Sequence, residues 1–281
     1  MNKNPLILPA PAKINRFLHI TGRRADGYHE LQTLFQLIDY GDELQFSPRS
    51  DGQIKLTDNI PGLPSEQNLV VRAAIALQQA TGCTAGVDIK LIKTIPAGGG
   101  LGGGSSDAAT TLLGLNHLWG TNHPISALLE IAQTLGADVP VFVRGNSAWA
   151  EGIGEQLQPV EMPESWVLIV KPDCEVSTAQ LFSHPELTRD HSPITIARFL
   201  EQGAGNDFEP LVRKLYPAVD QGLDWLGQYA DAQLTGTGAC LFAMFADQQQ
   251  AQQVLKQLPK PFSGFVAATV NRSPLHEILG L

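Results

Sequence analysis

The stretch Pro96-Ala97-Gly98-Gly99-Gly100-Leu101-Gly102-Gly103-Gly104-Ser105-Ser106-Asp107-Ala108-Ala109 packs six of the chain's 27 glycines into seven residues. Apolar alternation over 87–95 predicts a strand before it. An Ala/Leu-rich periodicity from about 106 to 119 predicts a helix behind it. Residues without Cβ let the backbone turn to positive φ and approach an anion closely. Several N–H groups then converge on phosphate oxygens at the helix N-terminus, which Ser105, Ser106 or Asp107 can cap. A flexible linker would carry polar residues on both flanks, and here an apolar strand and an Ala/Leu helix abut the run directly.

Two common phosphate loops do not fit. Gly99 and Gly104 have Walker A spacing, but Ser105 stands where that motif needs lysine. Gly98-x-Gly100-x-x-Gly103 matches a dinucleotide fingerprint formally. That fold wants an acidic residue about 20 positions on for the ribose, and residues 108–129 hold no Asp or Glu.

Outward from the loop, strands are expected at 12–20, 31–38, 43–46 and 53–57, with turns at 40–42 and 51–52. Arg16 and Phe17 interrupt the alternation of the first, which still sets Lys13 and Asn15 on one face. Helices are expected at 69–80 and 126–135. Past Pro159 and Pro163 the pattern restarts: strands at 166–171, 241–245 and 264–271, helices near 195–201, 218–229 and 248–258. The expectation is an α/β chain with a boundary near 160, dividing it into 1–160 and 161–281.

The 281 residues are 43% hydrophobic and 17% charged, a globular mix that excludes a disordered chain. The longest apolar run, 239–246, is far short of the 18 or so residues of a membrane span, and prolines break the apolar patch at 6–8, so no signal-peptide core forms. A net charge of −9 argues against nucleic acid or anionic lipid as partner. Cys83, Cys174 and Cys240 lie too far apart for a metal cluster or disulfide framework and read as reduced, cytoplasmic thiols. His19, His117, His123, His184 and His191 show no ligand spacing.

Pro96-x-x-x-Gly100-Leu101-Gly102 before a serine-rich helix start resembles the phosphate loop of the GHMP kinases. Pro11-Ala12-Lys13-Ile14-Asn15 resembles that family's N-terminal motif, and Leu234-Thr235-Gly236-Thr237-Gly238-Ala239-Cys240 its C-terminal glycine motif. The segments 22–29, 98–106 and 136–142 narrow the likeness to members whose acceptor carries cytidine diphosphate. The resemblance implies an α+β two-lobe fold, a ribosomal-S5-like N-terminal domain plus the GHMP C-terminal domain. It also implies transfer of the γ-phosphoryl of ATP, with magnesium, to the 2-hydroxyl of a cytidine-diphosphate-bearing methylerythritol in non-mevalonate isoprenoid synthesis. The partner would be a small molecule only, and the oligomeric state, monomer or weak homodimer, stays open. Phosphorylation of another small alcohol such as homoserine or mevalonate, or a catalytically silent nucleotide-binding protein, are the alternatives.

Asp138, after Gly136 and before Pro140, is by residue chemistry either a turn or cap aspartate or a general base; the resemblance implies the base. Lys13 is either a solvated strand lysine or the cation that keeps Asp138 ionised and stabilises the moving phosphoryl group. Asn15 could bind a substrate hydroxyl. By resemblance, Pro96 to Ser106 hold ATP phosphates, Asn68 and Lys93 lie near adenine, Tyr28 and Phe182 stack on cytosine and His29 hydrogen-bonds it. Gly103 and Gly104 separate the serines from Gly100-Leu101-Gly102, so whether Ser105, Ser106 or neither meets magnesium is undecided.

Overall fold

The computed structural model describes residues 4–57 and 64–281. Its spine is an antiparallel pair, β1 (Leu6–Arg23) and β2 (His29–Arg49), with β3 (Ile54–Leu56) nearby. Next come α1 (Leu69–Thr81), β4 (Gly86–Ile92), α2 (Gly103–Leu118), α3 (Ile125–Leu135), α4 (Val139–Arg144), β5 (Ala148–Glu151) and β6 (Gln156–Pro159), completing the first lobe's run. The second lobe follows with β7 (Trp166–Lys171), α5 (Thr178–Ser183), α6 (Ile196–Gln202), α7 (Glu209–Leu215), α8 (Pro217–Leu226), β8 (Ala232–Leu234), β9 (Leu241–Phe245), α9 (Gln248–Leu255) and β10 (Ser263–Val270). The short α10 (Pro274–Leu279) returns to the first lobe, where Leu275 joins its core. This is the two-lobe α/β architecture expected from the sequence.

One edge of β2 carries β1; the other serves three strands in succession. Residues 43–49 pair with β4, Leu37 and Ile38 with β10, and residues 33–35 with β5. The two lobes therefore share hydrogen-bonded sheet at β2–β10. Between them sits a core that includes Ile14, Ile38, Leu101, Ile169 and Phe242.

The expected break at 40–42 is absent, because β2 runs straight through it. A Cβ on Gly41 would lie 2.4 Å from the Ala10 carbonyl oxygen, so this glycine serves close strand approach and not a turn. The interruption at Arg16 and Phe17 is a β-bulge: Asn15 pairs with Phe35 and Leu18 with Thr33. It turns Phe17 into a separate core with Leu34, Trp149 and Phe199. The loop helix starts earlier than expected, at Gly103, with Gly102 as N-cap.

Beyond the bulge, second-lobe segments grip β1. Leu18 N–H donates to Gly205 O (3.1 Å), Asp207 N–H to Leu18 O (2.8 Å) and Ile20 N–H to the Asp207 carboxylate (2.7 Å). His19, 3% exposed, stacks on His191 with ring centroids 3.5 Å apart, and its Nδ1 has no partner among the described residues. Burial, and after it the His191 neighbour, pushes the His19 imidazole down to about 4, against the opposing pull of Asp207. A depressed folded-state value means protons favour the unfolded chain. This contribution to stability is complete above about pH 6.5 and is lost as pH falls through about 4. His19→Phe keeps the stacked ring and removes the titration. Its acid-unfolding midpoint, followed by circular dichroism, should move to lower pH; an unmoved midpoint would clear His19 of this role.

Candidate active site

Lys13 is 3% exposed, and burying an ammonium is tolerable only if it is paired. Its Nζ donates to Asn15 Oδ1 (2.6 Å) and to the Gly100 carbonyl (2.9 Å) and lies 3.3 Å from Asp138 Oδ2. Three acceptors from a strand, a loop and a helix start thus use the three donors of one ammonium. Asn15 is fixed in turn: its Nδ2 donates to Thr33 Oγ1 (2.9 Å) and its backbone N–H to Thr235 Oγ1 (2.9 Å). Thr33 and Thr235 escaped the sequence reading because threonine has no signature there, although Thr235 lies inside the C-terminal glycine motif.

That motif also holds the glycine loop. Ala239 N–H donates to Gly98 O and Cys240 N–H to Gly99 O, both at 3.1 Å. Gly100 has φ 76°, and a Cβ there would stand 2.3 Å from the Thr235 carbonyl oxygen. A loop clamped this way is not a linker. Its last residues form the first turn of α2, which no side chain caps, so backbone donors at 103–105 face outward for an anion. The expected serine or aspartate cap is replaced by Gly102. Ser106 is buried and its hydroxyl donates to the Pro11 carbonyl (2.6 Å), which ties α2 to β1; Ser105 faces the cavity.

Asp138 precedes α4, and its side chain makes no capping bond. The carboxylate is turned toward Lys13 instead, 36% exposed. α4 carries no readable sequence signal, since six residues with proline near the start span too short a period.

A cavity of about 870 Å³ unites these groups. Lys13, Asn15, Gly98, Gly100, Gly102, Ser105 and Asp138 line one part, Tyr28, His29 and Phe182 another. Tyr28 is 62% exposed, so it anchors no core. The Phe182 ring centre lies 5.0 Å from that of His29 and braces edge-on against Phe208. Thr178 and Thr237 share a 2.7 Å hydrogen bond across the rim.

Asn68 and Lys93 do not line this cavity; they lie behind the loop. Asn68 Oδ1 caps α1 through Val70 N–H (2.9 Å), and its Nδ2 is buried without a partner among the described residues. Lys93 Nζ would be 3.2 Å from a Cβ on Gly103, and it pairs with Asp42 and with Asp107 (2.8 Å). Burial pushes the Asp107 carboxyl up to about 7, against the pull of Lys93 and aided by Asp42. Pro96 and Ala97 lead into the loop, Gly99 packs on Cys240, Leu101 is buried between the lobes, and Gly104 is exposed.

Ser105 and Asp138 give the cavity hard oxygen donors of the type magnesium takes. Among the described residues one other group has ligand-like proximity, His19, His191 and Asp207, with atoms within 4.8 Å. The two imidazoles there stack at 12°, so their lone pairs run side by side and do not converge, and none of the three lines the cavity. Among the described residues no helix is long and apolar enough to cross a membrane.

Residues 68–146 match the family described as GHMP kinases N terminal domain, and residues 184–264 match GHMP kinases C terminal. The chain is 57% identical over 274 residues to 4-diphosphocytidyl-2-C-methyl-D-erythritol kinase of Ectopseudomonas mendocina, covering 98% of this chain and 94% of that one. It is 55% identical over 273 residues to the like-named protein of Halorhodospira halophila, covering 96% and 95%. A crystal structure of 4-(cytidine 5'-diphospho)-2C-methyl-D-erythritol kinase superposes with a TM-score of 0.82 at 32% identity, over 94% of this chain and 99% of that one.

The loop geometry separates two of its glycines, Gly104 and Gly100. A Cβ on Gly104 meets only Leu69 Cδ1 at 3.7 Å, within a helical turn. Gly104→Ala should therefore hold or slightly raise stability, by up to about 1 kcal/mol. Gly100→Ala faces both positive φ and the Thr235 carbonyl and should lose at least about 1–3 kcal/mol. Urea unfolding of the two variants checks this. Equal behaviour would mean that the loop is not clamped.

Proposed function

We propose that this chain, which belongs to the GHMP kinases and within them to the 4-diphosphocytidyl-2-C-methyl-D-erythritol kinases, transfers the γ-phosphoryl of ATP to the 2-hydroxyl of 4-diphosphocytidyl-2-C-methyl-D-erythritol. The observation that carries the reading is the Lys13–Asp138 pair at the mouth of an uncapped helix, in one cavity with Tyr28, His29 and Phe182.

In this reading Asp138 accepts the proton of the acceptor hydroxyl as its oxygen bonds to the γ-phosphorus and the bond to the β-phosphate oxygen breaks. Lys13 pairs with Asp138 and offsets charge building on the transferred group. The Gly98–Ser106 loop and the α2 N-terminus bind the phosphates left behind on ADP. Asn15 orients Lys13 through its amide oxygen, which supports a positioning part for it beside any contact with substrate. Asn68 and Lys93, behind the loop, are suited to the adenine of ATP. Ser105 would hold magnesium, which when bound would neutralise phosphate charge. Tyr28 and Phe182 offer ring faces to cytosine, and His29 offers its edge. The reading includes a cytoplasmic setting, supported by three free thiols.

ADP release assayed with the cytidyl acceptor, with mevalonate, with homoserine and with none tests the substrate directly; turnover with the first alone is expected. Asp138→Asn keeps the shape but cannot take a proton. Turnover should fall by about 10²–10⁴ with ATP affinity near wild type. Retention of more than about a tenth of the activity would remove Asp138 as base. Base–aromatic stacking is worth about 1–3 kcal/mol, so Tyr28→Ala or Phe182→Ala should raise the acceptor Kd by about five- to 150-fold. Tyr28→Phe should cost much less, and ATP should bind as before. Parallel losses for both ligands, with a lowered Tm, would instead mark these rings as structural.

A further inference from the structure

The cavity's second half is organised by a residue that does not line it. Arg189 Nε donates to His29 Nε2 at 3.1 Å. Its Nη1 donates to the Leu187 carbonyl (3.0 Å), and its Nη2 to the carbonyls of Phe182 (2.9 Å) and His184 (2.7 Å). One planar guanidinium thus holds the His29 imidazole and, through the backbone at the end of α5, the Phe182 ring lying 5.0 Å from it.

Arginine has only donors and is always charged. His29 Nε2 must therefore present a lone pair, and in the neutral ring the proton sits on Nδ1. An imidazolium would set its own N–H against the guanidinium N–H with no acceptor between them. Consistently, burial first, and the Arg189 and Arg23 charges after it, push His29 below its ordinary range.

We propose that Arg189 is a positioning residue that fixes His29 as a neutral ring with its proton on Nδ1, so that His29 can only donate to the pyrimidine. The inference rests on the cytidyl-acceptor reading and deepens it. Position 3 of the pyrimidine differs between the two bases: cytosine has an acceptor nitrogen there and uracil a donor N–H. A site built around a fixed donor accepts the first, whereas the second sets two donors against each other with neither paired, and that mismatch discriminates. The opposite tautomer would read the other way. A locked tautomer therefore gives base choice, and stacking alone would not, because every base has a ring face.

The test measures Kd for CDP and UDP by titration calorimetry, alongside KM for the acceptor and for ATP, in wild type, Arg189→Met, Arg189→Lys, His29→Ala and the double variant Arg189→Met/His29→Ala. Arg189→Met keeps much of the stem and removes every donor. It should raise the acceptor KM and the CDP Kd by about tenfold, the scale of one lost hydrogen bond to a charged group, and shrink the CDP-over-UDP preference. The ATP KM should stay within about twofold, as no Arg189 contact reaches the glycine loop. Arg189→Lys retains a cation for the carbonyls without the planar fork, so it should keep the Tm and still lose base preference. It serves as the reporter if Arg189→Met folds poorly. Once His29 is alanine, removing Arg189 should change the CDP:UDP ratio little further. An unchanged ratio in Arg189→Lys, additive losses in the double variant, or equal losses for ATP and CDP would each overturn the inference. Failure of wild-type protein to bind CDP would overturn the cytidyl-acceptor reading, and this inference with it.

Discussion

A single buried ammonium sets the terms for everything around it. Lys13 is out of water, and a cation in that position must find acceptors in fixed directions or destabilise the fold by several kcal/mol. It takes one from its own strand, one from the glycine loop and one from the residue that opens α4. Those three segments must arrive together for the charge to be tolerated. The same requirement places a carboxylate beside an uncapped helix end, which is the arrangement phosphoryl transfer needs. In the proposed reading, stability and chemistry are met by one set of contacts.

The glycine loop obeys a second constraint, from the other lobe. Backbone donors of Ala239 and Cys240 bind its carbonyls, and the Thr235 carbonyl leaves no room for a side chain at Gly100. The loop's shape is therefore set by the turn after β8 as much as by its own composition. Asn15 joins the same junction through Thr235. Residues far apart in the chain meet there, so the half of the cavity lined by the glycine loop is rigid by construction. The half facing Tyr28, with its 62% exposure, is open.

What could be read in advance was whatever is local. The glycine loop, the strand carrying Lys13 and Asn15, and the helices at 69–81 and 125–135 announce themselves through composition and period. Gly41 misled because a glycine between Tyr40 and Asp42 has the composition of a turn, and only the proximity of Ala10 shows otherwise. Arg16 and Phe17 were seen as an interruption, but a bulge is defined by the partner strand and cannot be read from one strand alone. Asp138 is ambiguous by chemistry, and only the three-dimensional arrangement shows that its side chain makes no capping bond and turns to Lys13. Arg189 gave no signal, since its contact with His29 spans 160 residues and no motif surrounds it. The stacking of His19 on His191 was hidden by the same distance in sequence.

The return of α10 has a consequence in time. Ser147 N–H donates to Asn271 O (2.9 Å), Ser273 N–H to Gly145 O (2.8 Å), and Leu275 lies in the first lobe's core. On the ribosome, the elements from β1 to β6 emerge long before the segment that seals them. During that interval the first lobe has an uncovered apolar surface and unpaired backbone near Gly145, the condition in which nascent chains recruit chaperones or aggregate. Maturation of this protein is thereby gated by elongation of its second half, and a pause in translation anywhere beyond residue 171 would lengthen the vulnerable window.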